Sequence, residues 1–258
     1  MRTFGGFLSH GVRVYGEVLG AEVHLLQQPF WCGVDFSGEV RSLGDLAIDL
    51  PVDPSKVIAV GLNYADHIKE MQRNEIGSPL IWFKAPSSLL PHEGTIEIAF
   101  PEHKTDFEIE LAIVVGKRAK NVPVERALDF VFGYTVALDV SDRDLQKAEK
   151  QFSRCKSFDT YTPVGPFVYA GVDPGDLSIS LRQNGETRQQ ARTSQMIYSV
   201  ARIVSFASES LTLQPGDLML TGTPSGVGAI SAGDALEATV NDWPPLRNRV
   251  ANAIRPAK

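Results

Sequence analysis

The residues best placed to do chemistry lie in Asp106-Phe-Glu-Ile-Glu-Leu-Ala-Ile-Val-Val115. The alternation predicts a strand over Glu108–Val115, whose side chains point to opposite faces in turn. One face carries Phe107, Ile109, Leu111, Ile113 and Val115, and the other Asp106, Glu108, Glu110, Ala112 and Val114. A solvent-facing polar face stays polar along its length, but this one turns apolar at Ala112 and Val114. Both faces are therefore expected to be buried, with Glu108 and Glu110 pointing into a rim or cavity. Two ionised carboxylates about 7 Å apart on one strand face, desolvated together, are costly without a cation. A hard divalent ion with oxygen ligands removes that conflict. Asp139, a lone acid closing the apolar run Tyr134-Thr-Val-Ala-Leu138, is the best third ligand. Three carboxylates with open water positions suit Mg²⁺ or Mn²⁺. The plainer alternative sets the glutamates along an exposed edge strand and makes Asp139 the cap of a helix starting near Ser141.

His67 and Glu70 are three apart in Asn63–Met71, a segment that reads as helical, so they share a face. A carboxylate orients an imidazole and raises its basicity, which makes His67 a candidate general base. An ordinary surface pair is the alternative. Gly61 and Gly77-Ser-Pro79 could hinge such a segment as a lid. Thr221-Gly-Thr-Pro-Ser-Gly-Val-Gly228 fits neither a P-loop nor a dinucleotide fingerprint. Its hydroxyls and N–H groups can hold a substrate carboxylate or carbonyl, or the loop can be a structural turn. On its own, Lys156 reads as a solvated lysine and Gly185-Glu-Thr-Arg188 as a hairpin turn.

The elements that must position these groups are mostly strands. Short β segments broken by glycine fill residues 1–50, followed by a Pro-rich linker at 51–56. Strands are expected at Val57–Leu62, Leu80–Lys84, Thr95–Ala99, Tyr134–Asp139, Leu218–Thr221 and Ala235–Val240. Helices are expected at Pro123–Phe132, Ser141–Phe152 and from Ile197 to about Leu211. Regular βαβ alternation is missing, which argues against a doubly wound sheet. The chain has 31 acidic against 25 basic residues, a formal net charge of −6, and no basic patch of the kind a nucleic-acid binder needs. No apolar run approaches the ~20 residues of a membrane span, and the start lacks a signal-peptide core. A cytoplasmic protein is expected, with Cys32 and Cys155 as free thiols.

Taken in order, several segments resemble the fumarylacetoacetate hydrolase family. They include Gly61-Leu-Asn-Tyr-Ala-Asp-His67 with Glu70, Phe83-Lys-Ala-Pro-Ser87, Asp106–Ala112, Gly133–Asp139 and Arg143-Asp144. Lys156-Ser-Phe-Asp159, Asn184-Gly-Glu with Arg188-Gln, Pro215-Gly-Asp217 and Thr221-Gly-Thr-Pro224 follow. The resemblance covers about residues 56–252. It implies an α+β, strand-dominated mixed β-roll at 56–258 behind a small β-rich N-terminal module at 1–55, and a homodimer carrying Mg²⁺ or Mn²⁺. It implies Glu108, Glu110 and Asp139 as metal ligands, His67 and Glu70 as a water-activating dyad, and Lys156 as a catalytic, substrate-orienting lysine. It places Lys84, Arg143, Gln146, Thr221, Gly222 and Thr223 near the substrate. The large N-terminal domain of the eukaryotic hydrolase is missing, which favours smaller bacterial-type members acting on small-molecule 2-oxo acids. Hydrolysis of a C–C bond in an acylpyruvate is then the expected reaction. Decarboxylation of a 2-oxo acid such as oxaloacetate, or isomerisation of a 2-hydroxy-dienedioate as in homoprotocatechuate breakdown, is the alternative. A non-catalytic metal-binding protein is a third reading. Substrate identity is expected to rest on loops 72–79 and 88–94.

Overall fold

A computed structural model of the chain describes residues 1–71 and 77–254, so most of the loop expected at 72–79 lies outside the described residues. The N-terminal strands are β1 (Arg2–Ser9), β2 (Val12–Leu19), β3 (Glu22–Leu26), β4 (Phe36–Ser42) and β5 (Ala47–Asp49). β6 (Val57–Gly61) leads into α1 (Ala65–Glu70), then β7 (Leu80–Lys84), β8 (Leu89–Leu90), β9 (Thr95–Ile98), β10 (Thr105–Phe107) and β11 (Ile109–Val115). β12 (Val131–Leu138) and β13 (Ser141–Asp142) precede α2 (Arg143–Ala148) and β14 (Thr162–Ala170). β15 (Ser178–Gln183), β16 (Glu186–Arg192), α3 (Val200–Ser210), β17 (Leu218–Leu220), β18 (Gly228–Ala229), β19 (Ala235–Val240) and β20 (Leu246–Asn252) complete the order.

The largest sheet has twelve strands, its main path running β4-β3-β2-β1-β14-β12-β11-β17-β6-β7. The N-terminal strands join it through antiparallel pairing of β1 with β14. A five-stranded sheet, β16-β15-β19-β20-β9, and a three-stranded one, β13-β10-β18, complete the architecture. The fold is strand-dominated, as the sequence indicated, and irregularly connected. Among the described residues no helix is long and apolar enough to cross a membrane.

β11 is central, and all seven of its residues are buried. Its two faces feed two cores. Ile109, Leu111, Ile113 and Val115 enter the larger one, which also holds the apolar stripe of α3 (Val200, Ile203, Val204, Ala207). Ala112 and Val114 enter a smaller one with Val57, Ala59, Leu218 and Leu220. Burial of both faces is what an apolar continuation of the glutamate face requires.

Several boundaries differ from those the sequence suggested. The strand expected at Glu108–Val115 is β11, Ile109–Val115, and the residues before it form a separate strand because the chain changes sheets at Glu108: β10 pairs with β13 and β18, whereas β11 pairs with β12 and β17. Pro123–Phe132 contains tight 3-10 turns over Val124–Phe130, not an α-helix, and β12 already starts at Val131. The helix expected at Ser141–Phe152 is only Arg143–Ala148, opened by Asp142, whose side chain accepts from Leu145 N. The hairpin turns on Asn184 and Gly185, both with positive φ (54° and 84°), the geometry of a type I′ turn. Glu186–Arg188 are therefore strand.

Candidate active site and metal centre

The strand register assembles the carboxylates. In the β11/β12 ladder Ile109 faces Leu138 and Glu110 faces Ala137. One step further, Asp139 N donates to Glu108 O at 2.8 Å, so Glu108 and Asp139 are cross-strand neighbours on the face that also carries Glu110. Ligand oxygens of Glu108, Glu110 and Asp139 lie within 4.8 Å of one another, and all three residues are buried. Asp139 is therefore not the helix cap; Asp142 does that work.

Three cations reach into this acid cluster. Lys156 Nζ donates to Glu108 Oε2 (2.7 Å), Asp139 Oδ2 (2.6 Å) and Ser141 Oγ (2.7 Å). Arg143 donates to Glu108 Oε1 (2.5 Å), Asp106 Oδ2 (2.7 Å) and Gln146 Oε1 (2.8 Å). Lys84 Nζ pairs with Asp139 Oδ1 and donates to Tyr161 O at 2.9 Å. Burial alone would raise Glu108, but the charges of Arg143 and Lys156 hold it far below the usual carboxylate range. Burial alone would lower Lys156, but Asp139 and Glu108 together push it up, so it is an ammonium.

Glu110 is different. Burial, then the charges of Asp139 and Glu108, push it well above the carboxylate range. Its described partner is a backbone group, Gly222 N at 2.5 Å. Among the described residues Glu110 is thus the acid of the triad with no cation paired to it. The donor set is all oxygen and the acids converge, so a hard divalent cation fits these residues. Glu108, Glu110 and Asp139 would hold it.

α1 sets His67 beside this centre. His67 Nδ1 lies 3.1 Å from Glu70 Oε2, and His67 Nε2 lies 3.9 Å from Glu108 Oε1. With Nδ1–H donated to Glu70, the bare Nε2 faces the acids. Glu70 Oε1 also accepts from Gly226 N at 3.0 Å, which ties α1 to the 221–228 loop. That loop requires glycine at 222, where φ is +93° and a Cβ would sit 2.7 Å from that of Asn63.

A cleft of about 460 Å³ opens over the centre. His67, Glu108, Glu110, Asp139, Arg143, Lys156, Gln146 and Thr223 line its polar side. Leu62, Met71, Leu80, Trp82 and Phe152 form an apolar wall. Lys156 Nζ stands 5.1 Å above the Trp82 ring centroid, a cation–π contact.

The expected site residues are thus brought to one place, in unequal roles. Lys84 lies behind Asp139, outside the cleft lining. Thr221 gives its hydroxyl to Leu111 O at 2.8 Å, and Gly222 gives its N–H to Glu110. Lys156 is buried, not the solvated lysine that its local sequence suggested. Asp106, Ser141, Asn63 and Gln189 also build the site and had no role read from the sequence. Asn63 bridges the loop to Tyr198 by donating to Thr221 O (2.7 Å) and Tyr198 O (3.0 Å). Polar residues scattered over distant strands leave no local signal. Only Asp106 shared a readable strand face with the glutamates.

A strand-dominated fold thus seats a buried carboxylate triad that could hold a metal ion beside a His–Glu pair. The chain belongs to the fumarylacetoacetate hydrolase family: residues 56–251 match the model for the fumarylacetoacetate (FAA) hydrolase C-terminal domain. It superposes on a 2-hydroxyhepta-2,4-diene-1,7-dioate isomerase from Mycobacterium marinum with a TM-score of 0.90, 35% identity, and coverage of 98% of this chain and 99% of that one. Fumarylpyruvate hydrolase from Pseudomonas aeruginosa, solved with Mn²⁺ and pyruvate, matches with a TM-score of 0.73, 34% identity, and coverage of 80% of this chain and 93% of that one. A mitochondrial oxaloacetate tautomerase from Arabidopsis thaliana is 38% identical over 208 residues, 78% of this chain and 93% of its own length. Hydrolase, isomerase and tautomerase are thus all represented among its relatives.

Proposed function

We propose that the protein is a divalent-metal-dependent enzyme of 2-oxo acids that hydrolyses a C–C bond in an acylpyruvate-like substrate. The observation that carries this reading is the placement of His67 Nε2, backed by Glu70, 3.9 Å from a carboxylate of the buried triad. A bound divalent ion would supply Lewis acidity for the 2-oxo acid end of the substrate. The chain's own groups do the rest. Arg143 and Gln146, which line the cleft, orient the substrate carboxylate. Water attacks the distal carbonyl carbon as its proton passes to His67 Nε2, and Glu70 stabilises the imidazolium through Nδ1–H. Lys156, held as an ammonium, faces the oxyanion that develops there. The bond between the attacked carbon and C3 of the pyruvate unit then breaks, and C3 takes up a proton. The products are a carboxylic acid and pyruvate.

The test is loss of diketo-acid absorbance with Mg²⁺ or Mn²⁺ added. A protein that binds neither metal nor substrate refutes the reading. Proton transfer without water attack, as in isomerisation or oxaloacetate tautomerisation, is the second reading. It is favoured by the near-complete superposition on an isomerase. A wild-type protein that isomerises or tautomerises 2-oxo acids but leaves acylpyruvates unhydrolysed would support it. A homodimer is proposed on the resemblance and is tested by sedimentation.

A further inference from the structure

The hairpin β15–β16 carries Arg188-Gln189, a pair with no part in the chemistry above. We propose that Gln189 is a positioning residue that fixes the spacing of Glu108 and Glu110 for metal binding and ties it to the His67–Glu70 pair. This rests on the metal-centre reading.

The geometry begins with β17. It pairs with β11 through Leu220↔Ala112, and Thr221 N still reaches Leu111 O at 3.1 Å. At Gly222, with φ at +93°, the chain turns out of the ladder. The next β11 residue due for pairing is Ile109, which separates Glu108 from Glu110. It is fully buried, so its backbone groups need protein partners. Side chains supply them. Gln189 Oε1 accepts from Ile109 N at 2.9 Å, and the Thr223 hydroxyl donates to Ile109 O at 2.8 Å. Gln189 Nε2 donates in turn to Thr223 Oγ1 (2.9 Å) and Pro224 O (2.8 Å). One carboxamide, 1% exposed, thus replaces the missing rung and clamps both sides of it.

The same strand seats the far end of the loop. A Cβ on Gly226 would stand 2.2 Å from Arg188 O, so Gly226 packs directly on the β16 backbone. Gly226 N is the group that holds Glu70. Adjacent residues of β16 therefore set the metal-ligand strand on one side and the anchor of the His67 dyad on the other.

The experiment measures Mn²⁺ affinity by calorimetry on the full chain without substrate, with thermal melting alongside. Gln189→Leu keeps the bulk and removes all three bonds. Its Mn²⁺ Kd is expected to rise about 10–100-fold, the usual effect of losing a group that orients metal ligands. Gln183→Leu, in the same hairpin but bonded to Ala229 O and Asp234, is expected to lower Tm and leave Kd unchanged. Thr223→Val attacks the clamp from its other side and should also weaken Mn²⁺, with Thr223→Ser restoring it. A Gln189→Leu protein that melts lower but binds Mn²⁺ as wild type does overturns the proposal. If Gln189→Leu does not fold, wild-type affinity in Thr223→Val overturns it. A wild-type protein that binds no Mn²⁺ overturns both this proposal and the metal reading beneath it.

Discussion

Among the described residues two clusters bring three potential ligands together within 4.8 Å: Glu108, Glu110 and Asp139, and His103, Asp142 and Asp144. They differ in what each acid already has. In the second cluster Asp142 accepts from Leu145 N (3.0 Å) and His103 Nδ1 (2.8 Å), and Asp144 accepts from Lys104 N (2.7 Å). Asp144 is exposed and His103 half-buried, so water serves the rest. In the first cluster all three acids are buried, and Glu110 is pushed far up by desolvation and by its neighbours' charges. Proximity of acids is common at surfaces and turns. A desolvated acid with no cation of its own, as Glu110 is, is what demands an ion.

The contrast can be broken most decisively at Glu110 and Asp139. Glu110→Gln or Asp139→Asn should weaken Mn²⁺ binding and cut kcat/KM by more than about 100-fold, beyond the loss typical of an outer residue. Calorimetry and turnover check this, and unchanged Mn²⁺ binding in both variants would refute the metal centre. His67→Ala should lower hydrolysis about 10²–10⁴-fold, the range for a general base. Its Mn²⁺ affinity should stay near wild type, since the imidazole lies beside the acids and is not one of them.

A third test uses pH. Glu110 has a folded pKa raised above its unfolded value, so the metal-free protein binds its proton more tightly than the unfolded chain does. Its contribution to stability is present below the unfolded pKa and is lost as pH rises through the folded one. Glu108 runs the other way: its depressed pKa stabilises above the unfolded value, and that stability is lost only on strong acidification. Metal binding requires the deprotonated acid, so the rise in Tm on adding Mn²⁺ should be larger at pH 8 than at pH 6. An increment that shrinks with pH contradicts the charge conflict.

The smallest effects belong to the second cluster. Asp144→Ala removes one backbone acceptor and should cost about 1 kcal/mol. Asp142→Ala removes a helix cap worth about 0.5–2 kcal/mol and also the His103 partner. Neither should alter Mn²⁺ affinity, and a weakened affinity in Asp144→Ala would blur the distinction between the clusters.

Much of the centre was legible because strand periodicity is local. The alternation from Asp106 to Val115 put Glu108 and Glu110 on one face, and the apolar residues beyond them forced that face inward. His67 and Glu70 were legible by helical spacing, although α1 is only six residues long. Asp139 stood out as an acid at the end of an apolar run. Lys156 was not legible this way, because no local pattern tells a buried lysine from a solvated one; only the family resemblance marked it. The helix ends near Pro123 and Ser141 were misjudged because 3-10 turns and short capped helices share their polar composition with longer helices.

By itself the sequence determined the chemistry available: an all-oxygen donor set, a histidine with its own carboxylate, and strands to carry them. Residue type and spacing along one element are enough for that. Only the tertiary structure decided that the chain would change sheets at Glu108, that Asp139 would cross to face it, and that Lys84 would stand behind Asp139 instead of in the cleft. It also decided that Gln189, 80 residues from Ile109, would finish the ladder β17 abandons. These outcomes depend on strand pairing between distant segments. Register, which local residue type does not encode, sets which buried groups must satisfy one another.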